Sequence, residues 1–422
     1  MHRRPLALSA QSQRLSGRGG SARDRAVGAP CARRYRAPRS DRRDPHAEPG
    51  TARLGRRNHL VSRLARGHRR RSAAVPLPRG VARRPPTPRA MSTPTTPVLP
   101  DYGGACLDGV MPALTGSVPP PAWMPEALDG ARAVVLLVLD GLGWLQLQDR
   151  RHALANLAAL EGSPITSVAP STTATALTTI ATGLTPGEHG IVGYRMMVGG
   201  SILNSLRWFG PSGDRRFDAP PAEIQPHPPF LGSRVPIVTP SELIGSAFSE
   251  AHLRGAEAVG WRASSSVPVL VRGLLDEGRP LVYAYYAGVD KIAHERGLGA
   301  FYDAELRDAD RLVGDLLDVL DADTALVVTA DHGQVEVGDR IIEPSREILG
   351  LTSGQSGEGR MRWFHAKRGA TAELFDAVQS ELGSTGWVRT IEEVIAEGWF
   401  GPRVPPPVRA RLGDVVVAAY EP

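Results

Sequence analysis

The segment Ser163–Tyr194, SPITSVAPSTTATALTTIATGLTPGEHGIVGY, decides how the rest of the chain is read. Ile165–Val168 reads as a short buried strand, and Pro170 ends it. Ser171 and Thr172 are strong N-cap residues, Ala174–Ala181 can then form a helix, and Gly183 stands just past its end. The expected product is a strand, a sharp turn and a helix whose first turn carries hydroxyl groups. A helix N-terminus offers unpaired N–H groups and the positive end of a dipole, so it receives anions, phosphate above all. A hydroxyl placed there is either a cap or a nucleophile aimed at a bound phosphoryl group. The segment alone leaves both open.

Upstream, Ala133–Leu139 (AVVLLVL) is a continuous apolar run that ends at Asp140-Gly141. Such a run suits a central strand buried on both faces of a parallel sheet. Ala153–Leu160 has a helical pattern. Downstream, residues 195–235 are rich in Gly and Pro and read as an insertion or a lid over the sheet edge. Ser241–Arg254 is helical in pattern, with Ser241 as cap, and Ala256–Trp261 and Val267–Val271 read as short strands. Leu281–Ala287 (LVYAYYA) is a further buried strand. From Phe301 to Leu320 the residues Tyr302, Leu306, Ala309, Val313, Leu316, Leu317 and Leu320 fall on one helical face. Ala325–Thr329 predicts a strand ending at Asp331-His332-Gly333, Thr371–Leu382 a helix closed by Gly383, and Val415–Ala419 a last strand. Strands alternating with amphipathic helices predict a three-layer α/β/α sandwich with a mostly parallel central sheet.

The chain of 422 residues carries a formal charge of +6, but the charge is unevenly spread. Residues 1–90 hold 24 Arg, no Lys and 4 acids, leaving 26 basic and 40 acidic residues to the remainder. The first 90 residues lack a sustained apolar period, so they cannot offset their ordering entropy and read as disordered. Met91 opens MSTPTTPVLP, a natural-looking start, and the Arg-only stretch before it resembles a translated GC-rich leader. The domain division expected is therefore an N-terminal extension over 1–90 and one catalytic domain over 91–422. Residues 91–130 read as Pro-rich and irregular, wrapped onto that domain. The arm has no apolar core of a secretory signal. No apolar run approaches the roughly 18 residues of a membrane span. Cys31 and Cys106 cannot build a disulfide framework, which fits a reducing, cytoplasmic setting.

In a parallel sheet the ligand site lies outside the carboxyl ends of the strands. Three strand ends carry polar residues there: Asp140 after AVVLLVL, Asp290 with His294 after LVYAYYA, and Asp331-His332 after ALVVT. Singly, each reads as a turn former or a surface residue. Together they place five carboxylate and imidazole donors on one edge, which suits zinc-type ions. Five are too many for one catalytic ion with an open position, and they suit two ions about 3.5–4 Å apart. A sixth ligand is expected downstream, and His365 is the only histidine after His332.

With LVLDG, APSTTATALTTIATGLTPGEHGI, AGVDKIAH, TADHG and the late His365, the chain resembles the alkaline phosphatase superfamily, in particular its nucleotide pyrophosphatase/phosphodiesterase branch. The resemblance implies that Thr173 is the nucleophile, with Thr172 and Thr175 as neighbouring alternatives. It implies one ion on Asp140, Thr173, Asp331 and His332, and another on Asp290, His294 and His365. The cofactors implied are two divalent cations, zinc foremost, and the partner is a small-molecule phosphoester rather than nucleic acid. His189, in the HGI turn, suits a packing role. Where many members carry an Asn after HGI, this chain has Tyr194 followed by Arg195, so Tyr194, Arg195 and Asn204 are the substrate-binding residues expected.

The implied reaction is hydrolysis of phosphodiester or nucleotide pyrophosphate bonds through a phospho-threonine. Phosphonate hydrolase, phosphomonoesterase and phosphomutase activities are the alternatives within the superfamily. The sulfatase C/S-x-P-x-R motif is absent around Ser171, and no Arg lies between Thr173 and Arg195, as a strict monoesterase would have. A different class of function, a nucleic-acid-binding scaffold, would rest on the basic arm alone.

Overall fold

A computed structural model describes residues 96–422. The Arg-rich arm, Cys31 and the Met91 start lie outside the described residues. The strands are β1 (Ala133–Leu139), β2 (Arg195–Val198), β3 (Ser201–Asn204), β4 (Phe209–Gly210), β5 (Gly213–Asp214), β6 (Pro236–Pro240), β7 (Glu257–Trp261), β8 (Leu281–Tyr286), β9 (Thr324–Thr329), β10 (Thr352–Gly357), β11 (Met361–Ala366), β12 (Gly386–Thr390) and β13 (Val415–Ala419). Five of them form one sheet in the order β7-β6-β8-β1-β9. Every pairing within it is parallel.

Strand β1 is buried at all seven positions, as a central parallel strand must be. Its alternation divides the core in two. Ala133, Val135, Leu137 and Leu139 face the helices Val267–Asp276 and Ala300–Val319. Val134, Leu136 and Val138 pack in the other cluster with Ala174, Leu177 and Ile180 of the helix Thr173–Thr182 and with Phe248 and Ala251 of the helix Ala247–Leu253. Helices therefore cover both faces, and the three-layer α/β arrangement with a parallel central sheet is the fold observed. On the long helix Ala300–Val319, Tyr302, Leu306, Ala309, Val313 and Leu316 are buried while Leu317 is exposed.

The sequence does not announce a second sheet, of eight strands in the order β12-β13-β11-β10-β2-β3-β4-β5. Its pairings are antiparallel. The Gly- and Pro-rich segment after Tyr194 supplies the β2–β5 meander, joined to β10 through the pair Gly357–Arg195. The last strand, β13, lies here and not in the parallel sheet.

Four local expectations are corrected. Val267–Val271 is not a strand but the start of the helix Val267–Asp276. Pro268 sits in its first turn, and Val267, Val271, Leu274 and Leu275 line its buried face at helical spacing, which outweighs the β-branched composition. Ile165–Val168 makes no strand. A single parallel bridge joins Thr166 to Cys106, the free and buried cysteine. The helix after Pro240 starts at Ala247, capped by Ser246, whose Oγ accepts from Ser249 N at 3.1 Å. Ser241 instead donates to the Trp261 carbonyl at 3.0 Å. Within 96–130 the chain is less irregular than its prolines suggest. A helical turn at Leu107–Gly109 leads into the helix Val110–Leu114, and Leu107, Val110 and Met111 enter the core.

Candidate metal centre and active site

Strands β8, β1 and β9 lie side by side and run parallel, so their carboxyl ends share one edge. Asp140 follows β1, and Asp331-His332 follows β9. After β8 the helix Gly288–Arg296 begins, with Asp290 in its first turn and His294 in its last. The turn after Asp140 needs glycine. Gly141 has φ +76°, and a Cβ there would press on Gln334 Nε2 and lie 3.0 Å from Asp290 Cβ.

Asp140, Asp290 and His332 each bring one ligand atom within 4.8 Å of the others. Two of the carboxylates at this edge are incompletely satisfied. Asp140 accepts a hydrogen bond from the Tyr285 hydroxyl on Oδ2, but its buried Oδ1 has no partner. Asp331 accepts from Gly141 N at 3.0 Å and from His332 N at 2.9 Å, both on Oδ1, and its buried Oδ2 has none. Buried charged oxygens without a donor are costly unless a cation meets them.

The imidazole of His332 points into the same space. Nδ1 lies 3.0 Å from the Gly333 carbonyl, a partner that fixes the proton there and leaves the Nε2 lone pair free. Nε2 is 3.4 Å from Asp140 Oδ1, 3.5 Å from Asp331 Oδ2 and 3.1 Å from Thr173 Oγ1. Four donor atoms of the kinds a zinc-type ion prefers thus converge, and the two orphaned oxygens are among them. The donor set fits a divalent cation.

The electrostatics agree. Burial first, then the charges of Asp331 and Asp290, push the Asp140 carboxyl well above the carboxylate range. Burial alone would lower the His332 imidazole, but the Asp331 charge and the Gly333 carbonyl outweigh it and leave a net rise. A cation in the cluster would reverse the first of these effects.

Thr173 opens the helix Thr173–Thr182, with Thr172 at the N-cap position and Gly183 in the left-handed conformation after its end. Thr172 makes no side-chain cap bond. Asp290 accepts from Gln334 Nε2 at 2.8 Å, and His294 Nε2 is 3.5 Å from its Oδ1, with most of the imidazole exposed. His365 lies on β11 of the antiparallel sheet. Its Nε2 is 2.7 Å from Ser356 Oγ, and its charged neighbours are Asp414 and Arg409. The structure brings neither His294 nor His365 into the 4.8 Å cluster.

His189 is fully buried. Its Nδ1 accepts from Ile191 N at 3.1 Å, so Nε2 carries the proton and donates to Thr179 Oγ1 at 2.9 Å. Burial holds its pKa down at about 3, which suits packing and not catalysis. Arg195 and Asn204 face each other across β2 and β3, and the Arg195 guanidinium lies 5.8 Å from the Tyr194 ring centre. Asn204 Oδ1 accepts from Arg207 N at 3.0 Å. None of the three lines the cavity that adjoins Thr173.

Several residues escaped the sequence reading. Tyr285 looks like a core residue of LVYAYYA, yet its hydroxyl holds Asp140. Gln334, three residues after Asp331, holds Asp290, and spacing from the DHG turn is the only signal that could have found it. The cavity beside Thr173, Asp140 and Asp290 is lined by residues as distant as Leu206 and His252, and no local pattern announces them.

The family model described as type I phosphodiesterase / nucleotide pyrophosphatase matches the chain over residues 134–265 and 252–421. No curated protein sequence matches it significantly. Among solved structures, murine ectonucleotide pyrophosphatase / phosphodiesterase 5 is similar at TM-score 0.50 and 17% identity, in an inactive variant in complex with AMP. That likeness covers 68% of this chain and 79% of that chain, and it speaks to the fold. A second structure of the murine protein gives the same score and identity, with 78% of that chain covered. Phosphonoacetate hydrolase from Sinorhizobium meliloti 1021, in complex with phosphonoformate, follows at TM-score 0.43 and 19% identity, over 69% of this chain and 82% of that chain.

Proposed function

We propose, from the premise that the chain belongs to the type I phosphodiesterase / nucleotide pyrophosphatase family, that it cleaves phosphodiester or nucleotide pyrophosphate bonds through an ester of Thr173. The family is one of metal-dependent phosphoester hydrolases, so the general class stands on the match itself. The observation that carries the finer reading is the position of Thr173 Oγ1. It lies 3.1 Å from His332 Nε2, at the first residue of a helix, beside two carboxylates with orphaned oxygens.

Asp140, Asp331, His332 and Thr173 would hold one divalent cation, and Asp290 with His294 would begin a second position. Such a cation lowers the proton affinity of a hydroxyl beside it and offsets the negative charge that builds on phosphorus oxygens. The protein contributes the rest. Tyr285 and the backbone N–H groups of Gly141 and His332 hold the carboxylates in place. The first N–H groups of the Thr173 helix face a phosphoryl group and bind its oxygens. Thr173 Oγ1 gives up its proton to solvent and forms a bond to phosphorus, and the bond to the leaving oxygen breaks with its electron pair, that oxygen taking up a proton from solvent. Water then adds to phosphorus, the Oγ1–P bond breaks, and the proton that the water loses goes to the threonine oxygen.

Acid-quenched protein incubated with bis-p-nitrophenyl phosphate should carry a phosphorus ester on Thr173, seen by peptide mass spectrometry. Turnover by Thr173→Ala at the wild-type rate would overturn the reading. A panel of bis-p-nitrophenyl phosphate, p-nitrophenyl phosphate and phosphonoacetate distinguishes diesterase from monoesterase and phosphonatase action.

A further inference from the structure

The three acids at the sheet edge share one arrangement. Asp140 has Oδ2 held by the Tyr285 hydroxyl and Oδ1 left over. Asp331 has Oδ1 held by Gly141 N and His332 N and Oδ2 left over. Asp290 has Oδ1 held by Gln334 Nε2 at 2.8 Å, and among the described residues no group donates to its Oδ2. A carboxylate only accepts, so the end of the Gln334 amide that faces it is the NH2 group. One oxygen of each acid is thus tied to the protein, and the other is open to a cation.

Backbone groups and a stiff phenol tie Asp331 and Asp140. Asp290 is tied by a long amide side chain, which must itself be held to keep its aim. Gln146, on the helix Trp144–Arg150, holds it. Gln146 Nε2 donates to the Gln334 carbonyl at 2.9 Å, and Gln146 Oε1 accepts from Gln334 N at 3.3 Å. One side-chain amide therefore closes on both backbone groups of a single residue. Glycines clear the space for it. A Cβ on Gly143 would lie 2.6 Å from Gln146 Oε1, and one on Gly333 would lie 2.7 Å from it. Neither glycine has the left-handed backbone that would by itself call for one; Gly143 has φ −67°. On the other side, Gly141 leaves the Gln334 amide free of a Cβ. The chain Gln146–Gln334–Asp290 thus links the segments that follow β1, β9 and β8.

A brace between the segments is complete once Gln146 has closed on the Gln334 backbone. The side chain of Gln334 adds nothing to that brace and goes on to Asp290. Donors that stand behind a metal ligand fix its orientation, and their removal changes metal affinity by about 10–100-fold.

We propose that Gln334 is the positioning residue of the second cation site: it turns Asp290 so that one oxygen is left for the cation, and Gln146 keeps it in register. The proposal rests on the two-cation reading of the edge, with Asp290 and His294 at the second position. Its test counts bound metal without turnover, so the two can fail separately.

The full-length protein, stripped with EDTA, is titrated calorimetrically with zinc, and the metal bound per chain is counted. Wild type should take up two ions. Gln334→Met keeps the length of the side chain and removes the donor. It should weaken one ion by at least about tenfold and leave the other within about twofold of wild type. His294→Ala should weaken the same ion, which identifies it. Gln146→Met leaves the Gln334 side chain in place but frees its backbone, and should weaken that ion by a smaller factor, about threefold. A purely structural role would lower the melting temperature in EDTA and touch both ions alike or neither. Gln334→Asn, shorter by one methylene, withdraws the amide from Asp290 and should act as Gln334→Met does. It stands in should Gln334→Met lose its thermal transition. Uptake of one ion by wild type sinks the two-cation reading and the proposal with it. Two ions in wild type, with equal weakening of both or of neither in a folded Gln334 variant, overturns the proposal alone. A missing Thr173 ester beside selective loss of one ion would sink the reaction and leave the role of Gln334 standing.

Discussion

The carboxyl edge of the parallel sheet and the antiparallel sheet differ in which buried polar atoms they leave without a partner. At the edge, Asp140 Oδ1 and Asp331 Oδ2 are buried without a donor, and His332 Nε2 points at both. In the antiparallel sheet, His365 is closed by Ser356, and the half-buried guanidinium of Arg411, beside β13, donates to the Gly190 and Ile224 carbonyls at 2.6 and 2.8 Å. Both regions leave buried polar atoms without partners, but of the two only the edge leaves carboxylate oxygens so, while the antiparallel sheet leaves the neutral indole nitrogens of Trp363 and Trp387. An orphaned carboxylate oxygen calls for a cation, and an orphaned neutral N–H does not.

The sharpest way to break this contrast is at the threonine. Thr173→Ala should lower kcat for a phosphodiester by about a thousandfold or more while the protein still takes up metal, measured by turnover and by metal content of the same preparation. Activity within tenfold of wild type would remove the edge as the seat of chemistry.

Next in size is the effect of the cation on stability. An ion at one hundred times its dissociation constant stabilises the folded chain by about 2.7 kcal/mol. Asp331→Asn keeps an oxygen for Gly141 N and His332 N but removes the orphaned charge. The rise in melting temperature on adding zinc should therefore vanish in this variant, while the melting temperature in EDTA stays level or rises. A zinc-induced shift equal to wild type would show that Asp331 Oδ2 meets no ion.

The buried histidines away from the edge should speak through stability instead. Burial holds His189 at about 3 and His252 at about 4, below the ordinary imidazole value. A depressed pKa means that the unfolded chain binds the extra proton first. The stabilisation is thus complete above pH ~6.5 and is lost as pH falls towards the folded values, by up to about 1.4 kcal/mol per pH unit for each histidine. Denaturant midpoints between pH 7 and pH 4.5 should fall accordingly, and His189→Gln should flatten the slope. An unchanged slope in that variant would show that His189 titrates alike in both states.

The smallest effect is expected at His365. Its loss in His365→Ala removes one bond to Ser356, so stability should drop by about 1 kcal/mol. Turnover should change by less than threefold, and the metal bound per chain should not change. Loss of one ion per chain would instead make His365 a ligand, as the resemblance implied.

Much of the parallel half was readable because its signals are local. AVVLLVL and LVYAYY are long apolar runs, and each ends in the residues that the sheet then brings together. The helix behind Thr173 declares its cap and its terminal glycine. The antiparallel half was not readable, because β10 (TSGQSG) has neither apolar alternation nor β-branched weight. It is a strand because β11 and β2 offer it hydrogen bonds. The helix Val267–Asp276 was hidden by three valines in its first five residues, whose spacing becomes informative only beside Leu274 and Leu275. The site divides the same way. Asp140, Asp290 and Asp331 were visible as strand-end acids. Tyr285, Gln334 and the walls of the cavity depend on contacts between distant segments, which no single stretch encodes.

Because β1 is clamped between β8 and β9, the segments bearing the three acids start from neighbouring rungs of one ladder. Adjacent strands are held about 4.8 Å apart by their backbone bonds. That interval is a gauge cut into the main chain, which side-chain drift in the surrounding helices cannot stretch. Substitutions in the outer layers can then loosen or tighten the whole protein while the acids keep the spacing that decides which ion they can grip.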